Sequence, residues 1–218
     1  MRESMLGKIL AGLMTLPDTD LGMLVDLEEK LISLKGAWWA KELKKFLRQE
    51  PCWVSKRKIN WVSLASVTSD GRPGQAGICE LEKSHYRVGN WAKDVMTKPA
   101  YVVTNGKVYK PVVLLGGNFE DKERVTWNIR KVAEEMHFIT PPAELARLLR
   151  ESVTDKMIEE MGLWALIVMH EPITDSLGSP FLLGVGRDGG GQWLHADDGG
   201  PGGGWGREGG FVFLAPQE

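Results

Sequence analysis

Apolar residues recur at helical spacing through the first fifty positions. Leu6, Ile9, Leu10 and Leu13 share one face, and Leu16-Pro17-Asp18-Thr19-Asp20 interrupts the run with residues suited to opening a helix. Leu21, Leu24, Val25, Leu31 and Ile32 continue the period until Lys35-Gly36. Trp39, Leu43, Phe46 and Leu47 then form a third stripe, with Lys41, Lys44, Lys45 and Arg48 opposite and Glu50-Pro51 as the stop. The pattern predicts a small helical unit over 1–50, too small to be stable without packing on something else.

From 51 to 84 the pattern is weaker. Trp61 to Val67 alternates as a strand does, and Ser69-Asp70-Gly71-Arg72-Pro73-Gly74 reads as a turn, so 51–84 is expected to be a connecting segment. Residues 85–218 predict one α+β domain. A helix is expected over Asn90–Met96. Strands are expected over 101–103 and 108–115, around Asn105-Gly106. Val125, Ile129, Val132 and Met136 mark a helix, and Thr140-Pro141-Pro142 opens another that carries Leu145, Leu148 and Leu149. A helical turn with Met157, Ile158 and Met161 ends at Gly162. Residues 163–169 are continuously apolar, which predicts a strand buried on both faces. Short strands are expected at 181–183, 192–194 and 211–214.

Composition narrows the classes. Hydrophobic residues are 43% and charged residues 26% of the 218, which is globular usage. No apolar run approaches the roughly 20 residues needed to span a bilayer, so no membrane association is expected. The first residues show no signal-peptide pattern, and Cys52 and Cys79 alone make no disulfide framework; a reduced, cytoplasmic chain is the expectation. A net charge of −2 gives no global argument for nucleic-acid binding.

Glycine is the informative residue. Thirteen of the 26 lie between Gly184 and Gly210, interleaved with Trp193, Leu194, Trp205, Phe211, Val212 and Phe213. Large apolar residues seek burial, so a linker is the weaker reading. The pattern predicts aromatic anchors pinning a long loop of Gly, Asp, His and Arg, and long loops on rigid scaffolds commonly carry function.

Other chemistry is sparse. His170-Glu171 follows the apolar strand and is the one candidate acid–base pair, with His195 as a distant partner; the ordinary reading is a strand-end turn. The four His and two Cys show no metal-ligand spacing, and no nucleophile elbow or phosphate loop occurs, so neither cofactor nor metal is expected. Gly203-Gly204-Trp205-Gly206-Arg207-Glu208 approaches a calcium β-roll repeat, but stands as a single copy with Glu in place of Asp. Residues 41–58 combine seven basic residues with Trp38, Trp39 and Trp53 nearby, which supports nucleic-acid association as an alternative to a solvated helix face.

The segments Trp91-Ala92-Lys93-Asp94, Lys98-Pro99-Ala100, Leu163 to Ser176 and the tail from Trp193 to Phe213 resemble uncharacterised proteins of candidate-phyla (Patescibacteria) bacteria. The tail also resembles the variable region of proteins targeted by diversity-generating retroelements, in which Asn codons of a template are randomised at adenines. The resemblance implies a C-type-lectin-like domain over 85–218, two helices packed on a short-stranded antiparallel sheet, with a variable tail at 193–213. It implies a non-enzymatic protein that displays a diversified surface to an unknown protein or surface ligand. The implied ligand-contacting positions are His195, Asp197, Asp198, Gly199, Gly200, Gly202, Gly203, Gly204, Gly206, Arg207, Gly209 and Gly210. Self-association through the N-terminal helices, or docking, is the expected role of 1–50.

Overall fold

The structure, a computed structural model, describes residues 18–50, 59–188 and 191–216. The chain divides into two units at Lys58/Ile59.

In the first unit, helix α1 (Asp18–Ile32) and helix α2 (Gly36–Leu47) are joined by a tight turn in which Gly36 N donates to Ser33 O at 2.8 Å. Lys35-Gly36, expected to end a helix, thus opens the next one. Trp38 and Trp39 meet edge to face, with centroids 5.3 Å apart. Val25, Ile32, Leu34, Phe46 and Leu47 are exposed. Two helices share only one seam, so among the described residues of the unit the rest of each apolar stripe has nothing to cover it. The expected helix around Leu6 to Leu13 lies outside the described residues.

The second unit is built on an eight-stranded sheet. Strands β1 (Trp61–Ser63), β5 (Pro111–Leu115), β10 (Gly209–Leu214), β6 (Ala165–Val168), β8 (Pro180–Asp188), β9 (Gly191–Asp198) and β3 (Arg87–Val88) lie side by side in that order, and β7 (Ile173–Thr174) pairs with β8. Only β10–β6 and β3–β9 are parallel; the other pairs are antiparallel. Both outer strands are very short, which limits edge-to-edge pairing. A separate two-stranded ladder joins β2 (Val67–Asp70) to β4 (Asn105–Tyr109).

Both faces of the central strands are buried, as the apolar run at 163–169 predicts. Leu166 and Val168 join Val113, Val212, Leu183, Val185 and Leu194 on one face. This face is covered by helices α3 (Gly74–Lys83), α4 (Asn90–Met96), α6 (Leu145–Ser152) and α7 (Asp155–Glu160). Ile167 and Met169 join Val112, Leu114, Leu182, Phe211 and Phe213 on the other face, under Ile129 and Ala133 of helix α5 (Thr126–Glu135).

The α+β class is as expected, and the details differ. The sheet is not short-stranded: β8 and β9 run nine and eight residues and pair from Phe181↔Asp198 to Asp188↔Gly191. Seven helices occur among the described residues, five of them in this unit. Residues 59–84, expected to be connecting chain, supply β1, β2 and α3 to the second unit. Strand β4 pairs with β2, not with 101–103, and the expected single strand 108–115 breaks at Lys110 into members of two sheets.

A buried polar cluster fixes the β2–β4 ladder to α6. Glu144, fully buried just before α6, accepts hydrogen bonds from Thr104 N (3.0 Å), Thr104 Oγ1 (2.7 Å) and Tyr109 Oη (2.6 Å). One turn on, the equally buried Arg147 pairs with Asp70 of β2 and with Glu151 at 3.0 Å. Burial, then the Glu144 carboxyl, pushes the Tyr109 hydroxyl up to about 12.

Candidate ligand-binding face

On the face that carries helix α5, the buried cluster of β6 and β8 reaches Ile167 and Leu182. Beyond Leu182 and Ile167, the same face continues through Gly184 and Gly186 of β8, Ala165 of β6, and Trp193, His195 and Asp197 of β9, as the registers Gly184↔His195, Gly186↔Trp193 and Ala165↔Gly186 require. The two glycines make room. A Cβ on Gly184 would come within 2.7 Å of His195 Nε2, and one on Gly186 within 3.1 Å of His195 Cε1, so the imidazole lies across both. His195 Nε2 is 2.9 Å from Asp197 Oδ2. The Arg87 guanidinium sits 5.3 Å from the centroid of the Trp193 ring.

Trp164, immediately before β6, is 66% exposed although the residues that follow it form a central strand. Trp164, Ala165, Gly186, Arg187, Trp193 and His195 line a hollow of about 380 Å³. Its floor is small side chains, two of its walls are indoles, and its polar edge is His195 with Asp197 behind it. Arg187 is held by Glu159 at 3.0 Å. A site of this form suits a flat ring or ring-like group with hydrogen-bonding substituents at its edge.

The loop between β9 and β10 borders this strip. It leaves β9 after Asp198 and returns beside the hollow, where Glu208 O accepts from Trp164 N at 2.8 Å. Its middle is docked on the start of α5: Pro201 O accepts from Trp127 N (3.0 Å) and Gly203 O from Thr126 N (3.1 Å), pairing amide groups that have no partner inside the helix. Trp205 is the peg. Its backbone N donates to Arg124 O at 2.9 Å, its Nε1 donates to Thr126 Oγ1 at 3.0 Å, and its ring meets Phe211 edge to face at 5.9 Å. The buried Arg124 ties the same corner together, donating to Gly116 O (3.0 Å) and Phe119 O (2.8 Å).

The twelve positions expected on the ligand face divide accordingly. Gly202, Gly204, Gly206 and Arg207 are exposed on the loop, Gly200 and Gly203 are half-buried there, and Asp198 is exposed at the end of β9. His195 and Asp197 lie on the open strip. Gly199, Gly209 and Gly210 are buried and do not belong to a displayed surface. Gly210 lies within the sheet, where a Cβ would come within 2.6 Å of Leu163 Cδ1, 2.7 Å of Val113 Cγ1 and 2.9 Å of Leu166 Cδ2. Trp164, Arg87 and the Gly184/Gly186 pair escaped the sequence reading. The available signal was glycine at alternate positions in an otherwise apolar strand.

His170, the candidate acid–base residue, is buried, and both its ring nitrogens are occupied by backbone. Leu183 N donates to Nε2 at 2.9 Å, which leaves the proton on Nδ1, 2.7 Å from Glu171 O. Burial, helped by the charge of Arg130, pushes its pKa down to about 4. The Glu171 side chain points to solvent, 3.7 Å from Arg130 Nη1. The two residues are therefore not arranged as an acid–base pair, and neither approaches His195 through any hydrogen bond of the described residues.

In the basic segment 41–58, residues 51–58 lie outside the described residues. Lys45 is 2.6 Å from Glu42, and Arg48 is 3.7 Å from Glu50. Among the described residues no group of three or more His, Cys, Asp or Glu is placed to hold a metal ion, and no helix is long and apolar enough to cross a membrane. No protein-family model, curated protein or solved structure matches the chain.

Proposed function

We propose that this is a non-enzymatic ligand-binding protein whose binding face is the open strip of the sheet together with the exposed part of the 199–208 loop. The observation that carries the reading is the exposed, small-floored hollow between Trp164 and Trp193, edged by His195 and Asp197. The exposed Trp164 ring at the edge of this hollow costs hydration free energy that a ligand would recover.

The loop supplies the diversified part of the surface. Gly202 and Gly204 have open space where a Cβ would stand, and Gly206 and Arg207 are exposed, so residues can be exchanged there without touching the core. Trp205 and the α5 contacts hold the loop's path fixed during such exchange. This division supports the resemblance to retroelement-diversified tails. Membership of 85–218 in the C-type-lectin-like class belongs to the same proposal: the α+β class favours it, and the eight-stranded sheet weighs against it. Self-association through α1 and α2 is the accompanying proposal for the first unit, supported by its exposed apolar residues.

A ligand-observed NMR screen of pyranose sugars, nucleosides and small aromatic amides tests the binding face. At least one class should show saturation transfer that Trp164→Ala abolishes, and that combined replacement of Asp197, Asp198 and Arg207 by Ser alters. Both variants should keep Tm within about 2 °C, because Trp164, Asp198 and Arg207 are exposed and the half-buried Asp197 pairs only with a partly exposed His195 at the sheet surface. Hits indifferent to Trp164→Ala, or variants that lose binding only by unfolding, contradict the proposal.

A further inference from the structure

On the same unit, away from the Trp164–Trp193 hollow, a cleft of about 860 Å³ opens between strand β4, the segment 139–143 and the chain after β10. Its walls are aliphatic. Val102, Val108, Ile139, Pro141 and Leu214 line it, and Val102 and Val108 are mostly exposed at its mouth. No tryptophan or phenylalanine is among its lining residues; Tyr109 is buried with its hydroxyl engaged by Glu144, and the His170 ring is buried with both nitrogens held by backbone.

The charge in the cleft is positive. Lys107 and Lys110 both line it, with Lys107 Nζ 5.5 Å from the Tyr109 ring centroid, and neither lysine pairs with a carboxylate among the described residues. The single acid on the rim, Glu171, already faces Arg130. An aliphatic trough with two uncompensated ammonium groups complements one kind of molecule. Aromatic ligands would lack stacking partners, and a small inorganic anion would leave the apolar walls in water.

We propose that this cleft binds an amphipathic anion, an unbranched aliphatic chain ending in a carboxylate, with the chain along Val102, Val108 and Ile139 and the head between Lys107 and Lys110. The site is independent of the open strip proposed above, so failure of either leaves the other standing.

The experiment is a titration of the full-length protein with octanoate, 1-octanol and acetate, followed through the methyl resonances of Val, Ile and Leu. Octanoate should shift Val108 and Ile139 saturably and bind roughly tenfold more tightly than 1-octanol, since two ion pairs to the exposed Lys107 and Lys110 together contribute a factor of that order. Acetate should not saturate the shifts. The double variant Lys107→Gln, Lys110→Gln should remove the octanoate advantage and leave 1-octanol binding unchanged. Octanoate binding no tighter than 1-octanol, acetate binding as tightly as octanoate, or shifts confined to other methyl groups would overturn the proposal. So would a double variant with undiminished octanoate affinity.

Discussion

Glu144→Ala lowers stability by about 3 kcal/mol and Tm by roughly 10 °C. The change strands three donors at once: Thr104 N, Thr104 Oγ1 and Tyr109 Oη all donate to this buried carboxyl. Each buried donor without an acceptor costs about 1–3 kcal/mol. The full sum is not reached, because Thr104 Oγ1 lies 2.8 Å from Ser69 Oγ and 2.9 Å from Tyr109 Oη, so the hydroxyls can pair among themselves. The amide of Thr104 cannot. Glu144→Gln keeps one acceptor oxygen and should cost about 1 kcal/mol. Urea unfolding of the second unit's signal measures both. A double-mutant cycle with Tyr109→Phe should be strongly non-additive, with the Phe change costing less once Glu144 is gone. An additive cycle, or an Ala variant no worse than a surface change, would mean that the cluster does not tie the β2–β4 ladder to α6.

Acid weakens the protein through His170. Its pKa is pushed down to about 4 in the folded chain by burial, with Arg130 adding to the effect, against about 6.5 when unfolded. The sign follows. Between these values the unfolded chain takes up a proton that the folded chain refuses. The contribution is therefore complete above pH 6.5, is lost progressively as pH falls to 4, and is flat below that. The whole loss is roughly 3 kcal/mol. Asp70 is held below the ordinary carboxylate range; burial would raise it, and hydrogen bonds from Arg147 and Arg72 outweigh that. Its own loss therefore begins only at lower pH, below the interval from 6.5 to 5 in which much of the His170 contribution is lost. His170→Gln can place an acceptor opposite Leu183 N and carries no titrating proton. It should be less stable than the parent at pH 7 and nearly flat down to pH 5. A parental slope retained in the Gln variant would show that another group titrates.

Much of the frame was legible along the chain, and the losses have identifiable causes. The run 163–169 declared burial on two faces because it leaves no polar side to face water, and the strand at 211–214 followed from its apolar residues. Asn90–Met96 and the helix at Ile129 followed from period and stop signals. Helix α3 was missed because its apolar residues are few, chiefly Ile78 and Leu81, and it starts at a glycine that reads as a turn. The length of β8 and β9 was hidden for a related reason: Gly184 and Gly186 look like loop residues, and their place in a strand is explained by the imidazole and the β6 atoms packed over them. Strand β4 pairs with chain far upstream, a choice no local pattern records.

The site was half legible. His195 and Asp197 came from the resemblance of the tail to diversified regions, and the pegging role of Trp205 from the spacing of aromatics in the glycine-rich tail. Trp164 did not, since nothing in the apolar run distinguishes its one exposed member. Gly209 and Gly210 were misplaced because composition cannot separate a glycine that frees a loop from one that admits its neighbours' side chains.

A saturation substitution scan of residues 193–213, read by thermal unfolding, tests the central claim most directly. Small and polar replacements at 202, 204, 206 and 207 should stay within about 2 °C of the parent, as exposed positions do. Replacements of Trp205, Gly210, Phe211 and Phe213 should lower Tm by several degrees or more, through cavities or overpacking of about 1–5 kcal/mol. If the four loop positions prove as intolerant as Gly210, the tail is packed structure, not an exchangeable surface on aromatic pegs, and the account fails.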